Sequence, residues 1–175
     1  PRLTTVYPMI FGHGIADVAV RDLALEGNSR LQEVPMGACR GAAVYFARSR
    51  KIEVTGVRER DYRGEGIGFQ MCRDVIIREC RVSGNAGNGL HPGAGNEKSG
   101  FFFCVRATRI TVRGCRFEGN GDRVSIGSRD CHNLIESCAL VGNRGAGLIV
   151  REAPAPPAFV RGFGDHPDEA FRHLP

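Results

Sequence analysis

LALEGN at 23–28, CRVSGN at 80–85, CRFEGN at 115–120 and CALVGN at 138–143 are four versions of one phrase. A phrase that returns at a regular pitch marks a chain that coils and stacks on itself. Cys80, Cys115 and Cys138 stand 35 and 23 residues apart, Val57 lies 23 before Cys80, and Leu23 lies 34 before Val57. The pitch is therefore about 23 residues, lengthened twice by insertions of about 11.

A second block keeps the same register. Val44, Ile67, Phe101, Val124 and Leu148 sit in the runs AVYF, IGFQ, FFFC, VSIG and LIVR, and two places downstream of them stand Phe46, Phe69, Phe103, Ile126 and Val150. That alternation is the strand period of two with one face buried. A third block is Ile52/Val54, Val75/Ile77, Ile110/Val112 and Leu134, with Val18/Val20 as its first copy. Each repeat holds three short strands and too few other residues for a crossover helix, so successive turns must coil in parallel about a shared apolar axis. The expected fold is all-β, a short parallel β-helix of about five turns rising about 4.8 Å each.

Composition agrees with this fold. Glycine supplies 24 of 175 residues and no helical stripe of apolar positions persists, which disfavours a helical bundle or a doubly wound α/β domain. Asn28, Asn85, Asn120 and Asn143 each follow a glycine, and stacked they form an asparagine ladder joining successive corners. Cys80, Cys115 and Cys138 share one inward position, and Cys72 and Cys131 share another with Ala107 between them. The thiols therefore read as small core residues rather than disulfides.

Residues 18–151 carry the repeat, with insertions at 29–41 and 86–99 read as lying at the same corner. Residues 1–17 form an entering segment or incomplete first turn, and the Pro1 start suggests a processed or trimmed chain. In 152–175, Pro154, Pro156 and Pro157 exclude regular strand pairing, leaving a tail or cap. The ends of such a stack need covering, by end-to-end contact or a neighbouring domain. The sequence has no 18-residue apolar run and no signal peptide, so no membrane contact is expected.

The formal charge of +5 is unevenly carried. Arg78 and Arg113, with Arg21, follow inward residues at equivalent positions, and Arg81 and Arg116 do so one strand later, making a basic flank suited to repeated carboxylates or sulfates. The plainer reading is a solvated face paired with Glu53, Glu79 and Glu118. Base-stacking aromatics are not interleaved with these positions, so nucleic acid is not the expected partner.

On the face of the second block the outward positions are Tyr45, Gly68, Phe102, Ser125 and Ile149, followed by Ala47, Gln70, Cys104, Gly127 and Arg151. Tyr45 and Phe102 offer rings to sugar faces and Gln70 a polar contact. A pair of carboxylates is missing there, which counts against ordinary glycoside hydrolysis.

The segment 86–99, AGNGLHPGAGNEKS, reads as a glycine-rich loop holding His91 as an acid or base and Lys98 to stabilise a uronate carboxylate. Asp130 and His132 flank Cys131 and are candidates for the same site. No zinc-type Cys/His spacing occurs, and Asp122, Asp130 and Glu97 are too scattered to establish a calcium site, so neither metal nor cofactor is expected.

The CRVSGN, CRFEGN and CALVGN corners and the GIGF, GFFFC and VSIG strands resemble the right-handed parallel β-helix, or pectate-lyase-like, superfamily over residues 16–151. That resemblance implies right-handedness, a secreted or periplasmic location and a polysaccharide ligand. The resulting expectation is a carbohydrate-active protein that binds an acidic polysaccharide, as a lyase or epimerase. The alternative is a noncatalytic segment for polysaccharide binding, adhesion or structure.

Overall fold

The computed structural model describes residues 8–31, 42–92, 108–121, 124–126, 132–145 and 147–150. Its strands are β1 (Ile10–His13), β2 (Ala16–Arg21), β3 (Ala24–Glu26), β4 (Ala42–Ala47), β5 (Arg50–Thr55), β6 (Arg58–Arg60), β7 (Glu65–Gln70) and β8 (Arg73–Arg78). They continue with β9 (Arg81–Ser83), β10 (Leu90–Pro92), β11 (Thr108–Arg113), β12 (Arg116–Glu118), β13 (Val124–Ile126), β14 (Leu134–Glu136), β15 (Ala139–Val141) and β16 (Leu148–Val150). A short 3₁₀ turn at Ser29–Leu31 is the one helical element among the described residues.

Every third strand pairs in parallel. The first sheet runs β1-β4-β7-β10-β13-β16, the second β2-β5-β8-β11-β14 and the third β3-β6-β9-β12-β15. This is the expected parallel coil of about five turns.

Three corners per turn are made by single residues in left-handed backbone. Gly14, Arg48 and Met71 lead from the first sheet to the second, and Asp22, Gly56, Glu79, Gly114 and Ser137 from the second to the third. Asp61, Gly84, Gly119 and Gly142 close the third. Each kink costs a non-glycine residue about 1–2 kcal/mol, and the structure returns part of it as a backbone bond to the next turn, as in Glu79 N–H to Arg113 O at 3.1 Å.

The core is a set of columns. Val44, Ile67 and Leu90 are wholly buried in register, as are Val54, Ile77 and Val112, and Phe46 stacks on Phe69 with centroids 6.1 Å apart. A Cβ on Gly12 would collide with the Phe46 ring, so the first turn needs glycine there. Cys80 and Cys115 are 2% exposed, Cys138 is half-buried, and the described cysteines carry free thiols; burial pushes Cys72 up to about 12.

Asn85 Nδ2 donates to Asn120 Oδ1 at 3.0 Å and Asn120 Nδ2 to Asn143 Oδ1 at 3.2 Å. In these corners the left-handed residue is the glycine before the asparagine, whereas in the first turn it is Asn28 itself. The place above Asn85 is taken by Tyr62, whose N–H donates to Asn85 Oδ1 at 2.8 Å. Asn28 therefore differs from the other three.

Three register expectations are corrected. The partner of Ile67 in the next turn is Leu90 rather than Phe101, and Leu90 in turn pairs with Val124. The second insertion therefore falls after β10 and not across 86–99, so the two insertions lie at different corners. The first falls between the third and first sheets and the second between the first and second. In the last turn Ile135 stacks on Val112, while Leu134 pairs with Thr111 and is 49% exposed.

One inward position breaks the apolar rule. Glu59 lies in a column with Leu25, Val82, Phe117 and Leu140, is 1% exposed, and accepts one bond, from Asn85 Nδ2 at 2.7 Å; its Oε1 has no partner. Burial pushes its carboxyl up to about 8, against the opposing Asn85 bond.

Candidate functional site

The register places His91 on a strand rather than a loop, in line with Gly68, Tyr45 and Phe11 across four turns of the first sheet. Because Gly68 carries no side chain, the Tyr45 ring leans into its place. A Cβ built on Gly68 would lie 3.3 Å from Tyr45 Cδ2 and 3.6 Å from Glu65 Oε2. Tyr45, Glu65 and His91 thus converge on the outer side of one sheet over Gly68, which is itself buried beneath Tyr45 and Ala42.

Glu65 holds this group together. Its Oε1 lies 2.5 Å from His91 Nδ1 and accepts from Asn88 Nδ2 at 3.0 Å. The carboxylate is an acceptor, so Nδ1 donates in this contact. Both side chains are largely enclosed, at 10% exposure for Glu65 and 16% for His91.

Towards the first turn the same face opens into a cleft of about 350 Å³ lined by Phe11, His13, Tyr45, Arg48, Gln70 and Met71, with Pro8 and Ala47. Phe11 and Tyr45 stack at 6.1 Å and 12°, and the Tyr45 hydroxyl donates to Gln70 Oε1 at 2.7 Å. An aromatic platform beside an amide, an imidazole and a guanidinium can take a polar ring that bears a negative charge.

Of the residues singled out from sequence, Tyr45, Gln70 and His91 come to this face. Lys98, Asp130 and Phe102 lie outside the described residues. His132 is exposed at the start of the second sheet, next to Asn133, whose Oδ1 accepts from Ile110 N at 3.0 Å. His91 and His132 thus stand on different sheets and do not form one group.

The basic flank is salt-bridged. Arg78 reaches Glu53 at 2.6 Å and Arg113 reaches Glu136 at 2.6 Å, while Arg81 and Arg116 share Glu118 at 3.0 and 2.8 Å. Bonds from Arg21, then Thr55 and Arg78, hold the Glu53 carboxyl down to about 2. Within the molecule the flank's charge is already answered.

Sequence reasoning missed Glu65, Asn88, Phe11 and Arg48. The signal for the first two is positional, since Asn88 stands one pitch after Glu65; for Phe11 it is the match of IFGH to VYFA. Among the described residues no cluster of three or more His, Cys, Asp or Glu could hold a metal ion, and no helix is long and apolar enough to cross a membrane.

Residues 12–155 match a family model described as "Right handed beta helix region". Neither the curated proteins nor the solved structures contain a match.

Proposed function

We propose that this chain, which belongs to the right-handed β-helix family, binds an acidic polysaccharide across the outer face of its first sheet and acts on it as a lyase or epimerase through His91. The observation that carries this reading is the 2.5 Å contact between His91 Nδ1 and Glu65 Oε1 on that face. A carboxylate that accepts from Nδ1 orients an imidazole and strengthens its other ring nitrogen as a base. In the proposed step Nε2 takes the proton α to a uronate carboxylate, and the electron pair either expels the substituent on the next carbon or is reprotonated from the other side. Arg48, exposed at the cleft two turns from His91, pairs with another uronate along the polymer. Phe11, 61% exposed, carries a sugar face over the buried Tyr45 ring, and Gln70 holds the Tyr45 hydroxyl.

The test is to incubate the protein with alginate, pectate and glycosaminoglycans, following the ultraviolet absorbance of unsaturated ends for a lyase and epimer content by NMR for an epimerase. Turnover of one polymer that disappears in His91→Ala and falls in Glu65→Gln supports the reading. No change in any polymer with folded protein removes the catalytic claim.

A second reading, noncatalytic binding, is favoured by one specific observation. Glu65 is the one carboxylate among the described residues of the outer face, and it is engaged by both Asn88 and His91. Affinity for an acidic polymer that survives His91→Ala, with no turnover in wild type, would select it.

A further inference from the structure

The contact between Glu65 and His91 has a third member. Both bonds to the carboxylate fall on one oxygen: Oε1 accepts from His91 Nδ1 at 2.5 Å and from Asn88 Nδ2 at 3.0 Å. Oε2 lies instead over Gly68, 3.6 Å from where a Cβ would stand. The last torsion of a glutamate is broad, so a carboxylate held by one donor can turn and offer either oxygen. Two donors on the same oxygen fix its plane. The Glu65 side chain is 10% exposed, so little water stands ready to replace a donor that is lost.

The coil anchors Asn88 for this bond. Asn88 stands one pitch after Glu65, in the column that includes Ala42. Gly87 N donates to Gly64 O at 2.7 Å, Gly66 N to Asn88 O at 2.9 Å and Ile67 N to Gly89 O at 3.0 Å. The backbone on both sides of the asparagine is therefore tied to the turn that carries Glu65. Gly87 permits the close approach, because a Cβ there would lie 3.0 Å from Gly64 O and 3.2 Å from Glu65 Cγ. Asn85, Asn120 and Asn143 bond one another in the corner ladder, whereas the Asn88 amide is directed at the face that carries His91.

We propose that Asn88 is a positioning residue for the imidazole: by fixing which oxygen of Glu65 meets Nδ1, it sets the direction of the other ring nitrogen. Asn88, Glu65 and His91 form a chain of hydrogen bonds in which each member orients the next. The effect of Asn88 on rate rests on the role proposed for His91 as the base, but its effect on the ring does not.

Two substitutions in the full chain test this. Asn88→Asp keeps the shape and replaces the donor by an acceptor that repels Glu65, and Asn88→Ala serves where the aspartate variant does not fold. By NMR, the Nδ1 proton of His91 should exchange with water faster in the variant than in wild type, with the thermal melt in place. On whichever of alginate, pectate or a glycosaminoglycan wild type turns over, kcat should fall by about tenfold or more with KM unchanged. In a Glu65→Ala background, Asn88→Ala should change neither readout further, since Asn88 acts through Glu65. Nδ1 exchange equal to wild type would overturn the proposal, and so would a rise in KM with kcat unchanged, which assigns Asn88 to polymer binding. If wild type turns over no polymer, the catalytic role of His91 falls and the exchange of its Nδ1 proton alone decides for or against Asn88.

Discussion

The outer face of the first sheet and the outer faces of the second and third are built from the same repeat, but they treat charge in opposite ways. On the second and third sheets long side chains stand in water and cancel in pairs, as in Arg113–Glu136 and Arg116–Glu118. On the first sheet Glu65 and His91 are enclosed and meet at 2.5 Å, on the face that carries an aromatic cleft. The difference teaches where chemistry can reside: exposed pairs are screened and worth little individually, whereas an enclosed pair keeps a defined geometry.

The contrast can be broken first at His91. If it is the base, His91→Ala should lower turnover by about 10²–10⁴-fold with an unchanged melting transition, whereas Arg78→Ala should leave turnover within a few-fold. Initial rates beside thermal melts of both variants check this. The core beneath the face responds differently: Phe69→Ala removes half of the Phe46–Phe69 stack and should cost about 3–5 kcal/mol in chemical denaturation.

Glu59 sharpens the comparison between enclosed and exposed carboxylates. Its folded-state value is about 8 and its ordinary value 4.5, so between these pH values the unfolded chain binds fewer protons than the folded one. Its contribution to stability is complete below about pH 4.5, falls as pH rises across that window, and stays lost above 8. Glu59→Gln should flatten this slope and stabilise the protein at pH 8 by a few kcal/mol, read from urea midpoints at several pH values. Glu53, held low by exposed arginines, should produce no such slope in the same window.

The smallest effects belong to the exposed faces. Arg113→Ala should barely move the urea midpoint, and that shift should shrink further in high salt. Glu79→Gly, at a left-handed corner with φ of 55°, should be neutral to stabilising by up to about 1 kcal/mol, since glycine accepts that backbone without strain.

Much of the fold was legible because its columns are chemically marked. Three cysteines at one inward position, and aliphatic pairs two residues apart, announce both the pitch and the buried face. The reading slipped where β-propensity competed with pitch. FFFC looks more like a strand than GLHP, so propensity alone sets Phe101 beside Ile67, although Leu90 is one pitch away and follows Gly89 as Ile67 follows Gly66. That single slip moved His91 from the sheet into a loop and hid its partner. Glu65 carries no motif of its own; its meaning comes from Asn88 and His91 in the next turn, a relation that exists only once the coil is wound. Glu59 was missed for the opposite reason, since a glutamate between two arginines looks like surface until its column with Val82 and Phe117 turns it inward.

The central claim is that ligand meets the first sheet. Backbone amide chemical shifts recorded while an acidic oligosaccharide is added test it most directly. The account predicts shifts concentrated at Phe11, Tyr45, Gly68, Gln70 and His91, with Arg78 and Arg113 still. Shifts centred on Arg81 and Arg116 instead, with the first sheet unmoved, would contradict it.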